Sequence, residues 1–463
     1  MACASHSAPA TPPALEVADI VRACDTEYRA THRVFGQHDR VLRALLNCRT
    51  AALGGYKALC DTCGHVAIQY VSCRNRHCPK CQTLAGTRWV ERQCAELLDI
   101  DYWHLVFTLP HELNSLAQSH PRLVYNLLFH AASRTLLEFG RNPRWLGGEL
   151  GITMLLHTWG QNLGQHIHVH CVLTGGALSA DHQRWIPARR GFLFPTAALS
   201  KVFRGKYLAA LAKAHRAGEL RRSSSLHPLH DDPDAFQCLL TRLRTHDWIV
   251  YAKPPFAGAA KVLAYLGRYT HRVAIANHRL VDFDGEHVRF RWRDYAHGNK
   301  HKIMSLKADE FVRRFLLHTL PRGLVRIRHY GLTANRSRRR HLAHCRMLVG
   351  QCTPEPREAE SADAMMLRLT GIDITRCPRC GQGRLHRTCI NSRRDGTAMR
   401  LGSDTETSQN SGLSRTGSRE PLVRCLRGPE QQHHSFHSAV STAITNTTRT
   451  TSIRSWSTTR PLL

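Results

Sequence analysis

The sequence predicts an α+β protein, with a small cysteine-rich module near the N-terminus and a larger domain in which strands and helices alternate. Three observations carry that expectation. Two Cys-x-x-Cys knuckles stand 14 residues apart within residues 60–81. Apolar residues recur every three to four positions in some stretches and every second position in others. Turn-forming residues separate the period-two runs. At 463 residues and 42% hydrophobic content, the chain has material for several domains and an ample core.

Taken in order, residues 1–15 are Ala- and Pro-rich and are expected to form a disordered leader. They lack a basic stretch followed by an apolar one, so no signal peptide is expected. No run approaches the ~18 apolar residues of a spanning helix, which predicts a cytoplasmic protein without a membrane partner. Residues 16–100 form the cysteine-rich module, flanked by the helical patterns VLRALL and WVERQCAELLDI. Within residues 101–320, YWHLVFTLP, ITMLLHTW, HIHVHCVLTGG and HDWIVYAKPP read as strands, while VAIANHRLVDFDGEHVRFRWRDY reads as successive strands around a DG turn. LVYNLLFHAASRTLLEF, KYLAALAKAH, KVLAYLGRYTHR and LKADEFVRRFLLHTL have helical period. Residues 321–390 form a basic C-terminal region. Ser and Thr make up 24 of the 73 residues 391–463, where apolar periodicity vanishes, so a disordered Ser/Thr/Arg-rich tail is expected there.

Charge narrows the partners. Lys and Arg number 65 against 35 Asp and Glu, a formal excess of +30. A field of that sign gathers polyanions, above all nucleic acid. Arginine runs such as RSRRR at 336–340 suit phosphate contact, or else a solvated surface.

The stretch CDTCGHVAIQYVSCRNRHCPKC places Cys60, Cys63, Cys78 and Cys81 in C-x2-C-x14-C-x2-C spacing. Two thiolates on each of two tight turns complete a tetrahedron around Zn²⁺, and a closed four-sulfur shell is structural because no position remains for water. Cys73 and His77 are spare donors. Arg74, Arg76 and Lys80 stand beside the expected metal and are candidates for DNA contact. Further on, Cys377 and Cys380 offer a second knuckle, which His386 and Cys389 are placed to complete.

His166, His168 and His170 alternate with branched apolar residues, so a strand projects all three imidazoles to one face. If the chain turns at Asn162–Leu163, His157 faces His168 across the ladder. A three-imidazole metal site then follows, built from His168, His170 and either His157 or His166, with positions open for water or phosphate. Tyr265 and Tyr269 lie four apart in KVLAYLGRYTHR, one above the other on a helix, with Lys261, Arg268 and Arg272 around them. Gln161 and Asn162 are placed to orient a ligand or touch DNA.

The order of CRTAALGG, SCRNRHCPKCQ, HTWGQNLGQHIHVHCVLTGGAL and YLGRYTHRVAIANHRL resembles the HUH-type, two-tyrosine rolling-circle transposases of bacterial insertion sequences, the group numbered ninety-one with its ISCR relatives. The resemblance runs from residue 30 to 390, with His168-Val169-His170 as the histidine–hydrophobic–histidine core. It implies an HUH endonuclease domain with a mainly antiparallel sheet flanked by helices. It also implies a catalytic Mg²⁺ or Mn²⁺ beside the structural Zn²⁺. Tyr265 or Tyr269 would attack a scissile phosphate and leave a 5′-phosphotyrosine. Single-stranded DNA at transposon ends and target DNA would be the partners in a bacterial, nucleoid-associated setting, with host replication machinery and a homo-oligomer as further expectations. The tail after residue 390 departs from the family pattern. Competing readings are a zinc-dependent DNA-binding protein without catalysis and a replication initiator or relaxase with the same chemistry. A relaxase usually carries its tyrosine before the histidine pair, whereas here it follows.

Overall fold

Period-two patterning becomes a sheet here, and period-3.6 patterning becomes the helices that flank it. The computed structural model describes residues 15–34, 36–81, 83–189, 191–222, 232–256, 273–294, 297–352 and 360–390. In chain order these begin with α1 (Val17–Thr31), α2 (Gln37–Asn47), β1 (Gly55–Cys60), β2 (Val66–Tyr70) and α3 (Thr83–Ala95). Next come β3 (Tyr102–Thr108), α4 (Asn114–Ser119), α5 (Pro121–Arg141), β4 (Gly148–Trp159), β5 (Gln165–Ser179) and β6 (Trp185–Pro187). They continue as α6 (Thr196–Arg216), α7 (Pro233–Thr245), β7 (Val250–Phe256), β8 (Leu280–Phe283), β9 (His287–Asp294) and β10 (Lys300–Lys307). The last are α8 (Ala308–Leu317), β11 (Ile327–Gly331), α9 (Arg338–Leu348), α10 (Ala362–Thr370) and β12 (Leu385–Ile390). The fold is α+β, and its sheets are antiparallel.

The chain divides into two compact units. One contains β1, β2, α10 and β12, and its strands run in the order β12-β1-β2. The other contains the remaining elements. Its main sheet has the order β11-β4-β5-β3-β7, with β6 paired to β5, while β10-β9-β8 form a separate three-stranded sheet. Among the described residues no helix is long and apolar enough to cross a membrane.

Strand alternation divides the main sheet into two chemically different faces. Leu150, Ile152, Met154 and Leu156 of β4, Ile167, Val169 and Leu173 of β5, and Leu105 and Phe107 of β3 enter one core, together with Leu128 and Phe129 of α5 and Phe203 and Tyr207 of α6. Each such fully buried side chain contributes about 1.5–3 kcal/mol. The face under α5 and α6 therefore anchors the sheet, and several of the intervening positions carry polar side chains. Those positions carry His157, His168, His170 and His104.

The β4–β5 hairpin fixes their register. Gly160 donates its N–H to the Gly164 carbonyl at 2.9 Å, and Asn162 Oδ1 accepts from the Gly164 N–H at 2.9 Å. Leu163 takes φ 60° and is fully buried, so an apolar contact offsets the cost of a left-handed backbone. This is the turn expected at Asn162–Leu163, and His157 pairs with His168 as that turn requires.

Most other elements fall where periodicity puts them, including the β8–β9 hairpin at Asp284–Gly285, where Gly285 has φ 101°. The stretch VAIAN departs from expectation: the Ile275 N–H donates to the Val273 carbonyl at 2.7 Å and Ala274 takes φ 61°, so the backbone closes on itself before β8. The helix expected over KVLAYLGRYTHR falls within 257–272, outside the described residues.

Gly331, at the end of β11, has φ 62°, and a Cβ there would stand 1.8 Å from the Leu150 carbonyl oxygen. Gly331→Ala must push β11 off β4. We expect a loss of about 3 kcal/mol or more, read as a lowered urea midpoint; an unchanged midpoint would show that β11 contributes little to the sheet.

Candidate functional site

The histidines meet because the hairpin register puts one strand's imidazole directly opposite another's. His170 Nε2 lies 3.2 Å from His168 Nε2 and 2.9 Å from His157 Nδ1. Nitrogen donors at about 2.1 Å from one octahedral cation and at right angles stand about 3.0 Å apart, so these separations fit adjacent ligands. His166 also lies on β5 but does not join them; its carbonyl accepts a hydrogen bond from His168 Nδ1 at 2.9 Å. That bond places the proton of His168 on Nδ1 and turns the lone pair of Nε2 inward.

Protonation agrees with this arrangement. Burial, followed by the neighbouring His170 and His166, holds the His168 imidazole well below its ordinary pKa. Burial, then His104 and Lys253, does the same to His170. Neutral imidazoles keep lone pairs available for a metal.

His104, on β3, was not singled out from sequence. Its Nε2 lies 2.9 Å from His170 Nδ1, and burial pushes it down to about 3. With the electron pair of His170 Nε2 turned to the cluster, Nδ1 carries the proton and donates to His104. A lone histidine in YWHLVFT gives no sign of this, because the contact depends on β3 lying beside β5.

Beneath the hairpin, His318 is fully buried, with Nε2 on the Leu163 carbonyl at 3.0 Å and Nδ1 on Thr158 Oγ1 at 3.3 Å. Burial lowers it to about 4, and lowers His77 to about 3. These groups stay neutral in the fold while the unfolded chain protonates near pH 6.5. Stability is therefore full above pH 6.5 and falls as pH drops from there towards 4. A urea midpoint that declines over this window, and declines less in His318→Gln, is expected; a flat profile from pH 7 to 4.5 would contradict it.

The cysteines assemble differently from the local spacing. Cys60 and Cys63 do not pair with Cys78 and Cys81. Cys60 Sγ lies 3.8 Å from Cys380 Sγ, and Cys63 Sγ 3.7 Å from Cys377 Sγ. Cys78 and Cys81 do not belong to that group. Cys73, a spare donor of the same stretch, likewise lies outside the group of Cys60, Cys63, Cys377 and Cys380. The other spare donors are used elsewhere. His77 accepts from the Leu320 N–H at 3.2 Å and bonds Asn75 Oδ1 at 3.0 Å, which occupies both ring nitrogens. His386 Nε2 lies 3.5 Å from Asp61 Oδ2, and Cys389 is exposed on β12; neither joins the Cys377–Cys380 knuckle.

Two of the residues expected to contact DNA bond within the fold. Arg76 donates to the Leu324 carbonyl at 3.0 Å, and burial lowers its pKa. Lys80, 8% exposed, pairs with Glu16 at 2.5 Å. Each cation thus has an acceptor inside the fold. Arg74 is exposed, with φ 50°. Tyr265, Tyr269, Lys261, Arg268 and Arg272 lie outside the described residues.

The chain that carries these clusters is similar to transposases. Residues 151–341, which hold β4, β5 and the three imidazoles, match the family described as "Putative transposase", and residues 20–109 match the "Transposase zinc-binding domain". The chain belongs to the IS91-like family of insertion-sequence transposases and carries that family's zinc-binding domain. It is 49% identical over 374 residues to "Putative transposase y4qJ" of Sinorhizobium fredii, covering 80% of this chain and 94% of the relative. It is 26% identical over 362 residues to the transposase of insertion sequence element IS801 of Pseudomonas savastanoi pv. phaseolicola, covering 75% of this chain and 82% of that protein. No solved structure matches the chain.

Proposed function

We propose that this transposase nicks and rejoins single-stranded DNA at insertion-sequence ends through a 5′-phosphotyrosine intermediate, driving rolling-circle transposition in the bacterial cytoplasm. The observation that carries the reading is the pairing of His157 with His168 across β4 and β5, which gathers three imidazole nitrogens within 4.8 Å. Mg²⁺ or Mn²⁺ held there would polarise the scissile phosphate, and an all-nitrogen donor set favours Mn²⁺.

The chain's own residues supply the remaining steps. The phenolic oxygen of Tyr265 or Tyr269 attacks phosphorus and gives up its proton. The bond from phosphorus to the 3′ oxygen breaks, and that oxygen takes a proton and leaves as a hydroxyl. One ester replaces another, so a 3′-hydroxyl from a second strand reverses the step without ATP. Two tyrosines let one hold the donor end while the other opens a new strand. Basic surface, Arg74 included, would draw the DNA in, with salt-sensitive affinity.

The test is a denaturing gel of purified protein with labelled single strands carrying the element ends and Mn²⁺. A 3′ label should move into a covalent adduct, a 5′ label should appear in a shorter free fragment, and a chelator should abolish both. DNA binding without an adduct in Mn²⁺ would overturn the reading and leave a zinc-dependent DNA-binding protein.

On this reading His104 is a positioning residue for His170. His104→Ala should reduce cleavage about 10–100-fold through weaker metal binding. His104→Gln, whose amide oxygen accepts the same hydrogen bond, should recover most of that loss. Equal metal dependence in the alanine variant and the parent would remove His104 from this role.

A further inference from the structure

We infer that Cys60, Cys63, Cys377 and Cys380 hold a structural Zn²⁺ that joins the N-terminal zinc-binding domain to a C-terminal segment outside both family-matched stretches. The partner sulfurs are 320 and 314 residues apart in sequence yet 3.8 and 3.7 Å apart in space. Sulfurs at about 2.3 Å from one tetrahedral zinc stand about 3.8 Å from each other, so the four thiols are spaced as a closed shell.

The two halves repeat one local design. Each knuckle reads C-x-x-C-G, and the glycines that follow, Gly64 and Gly381, take φ 65° and 68°. Gly64 donates its N–H to the Cys60 carbonyl at 3.2 Å, and Gly381 donates to the Cys377 carbonyl at 2.9 Å. Backbone N–H groups also reach sulfur: Cys63 to Cys60 Sγ at 3.5 Å, and Gly383 to Cys380 Sγ at 3.4 Å. Such donors stabilise sulfur as thiolate, the form that binds metal.

The surrounding chain is shaped to let the halves meet. A Cβ at Gly383 would stand 2.4 Å from Cys60 Sγ, so only glycine admits this approach. β1 and β12 pair from Gly55↔Ile390 to Cys60↔Leu385, which delivers Cys60 to the far knuckle. Asp61 extends the ladder by donating its N–H to the Arg384 carbonyl at 3.1 Å, and its Oδ1 accepts from the Arg384 N–H at 2.8 Å. Four sulfur donors without carboxylate or water select a thiophilic divalent cation, and zinc is the redox-inert one.

The test counts metal in the full chain. Zinc per chain is measured for the parent, for Cys60→Ser/Cys63→Ser, for Cys377→Ser/Cys380→Ser, and for the quadruple variant. Each double variant should lose one equivalent, and the quadruple variant should lose the same single equivalent. If the quadruple variant loses two, or if neither double loses any, the shared site is overturned. Should a variant fail to fold, alkylation of the parent decides. All four cysteines should be protected together and become labelled together as a chelator is added; labelling of one pair while the other stays protected would refute the pairing.

Discussion

His168→Ala should lower metal-dependent DNA cleavage by roughly 10³-fold or more while leaving the fold intact. The three inward nitrogens fall to two, and a cation that stabilises transition-state charge by about 4 kcal/mol is lost or displaced. The sheet should survive, because its core lies on the opposite face, where Ile167 and Val169 point. His168 is also the imidazole whose inward nitrogen is set by a local backbone bond, to the His166 carbonyl. The measurement is cleavage rate against Mn²⁺ concentration, with a melting curve as the control for folding. A rate within threefold of the parent at saturating Mn²⁺ would remove the three-imidazole cluster from the reaction.

The second large effect concerns the two proposed nucleophiles. Tyr265→Phe/Tyr269→Phe should abolish the covalent adduct, a loss of roughly 10⁵-fold or more if a single attacking oxygen carries the chemistry. Phenylalanine keeps the ring and removes only the hydroxyl, so DNA binding should remain. Each single variant carries separate information. If the tyrosines alternate, one hydroxyl suffices for a nick but not for passing a strand on, so single variants should form adduct and fail in strand transfer. An adduct that persists in the double variant would mean that another residue attacks.

The histidine cluster was largely legible in the sequence because all its determinants are local. Strand period puts His168 and His170 on one face, and GQNLG dictates a tight hairpin whose length alone sets His157 opposite His168. His104 escaped because no local rule says which strand will flank β5. The thiol sites failed for a related reason: each knuckle is a local structure, but the choice of partner knuckle is not. Proximity in sequence favoured Cys78 and Cys81 for Cys60 and Cys63, and strand pairing between β1 and β12 decided otherwise. Arg76 and Lys80 mark the limit of charge as a signal, since it announces a need for a counter-group without saying whether DNA or the protein supplies it.

The distance along the chain between Cys60 and its partners sets a schedule for synthesis. The first knuckle emerges from the ribosome more than 300 residues before the second, a gap of roughly 15–60 s at ~5–20 residues per second. During that interval β1 lacks its neighbour β12, and two thiols wait unmatched. A message truncated anywhere before Cys377 yields a chain in which this unit can never close. Completion of the unit thus requires that translation has passed every residue of the imidazole-bearing sheet.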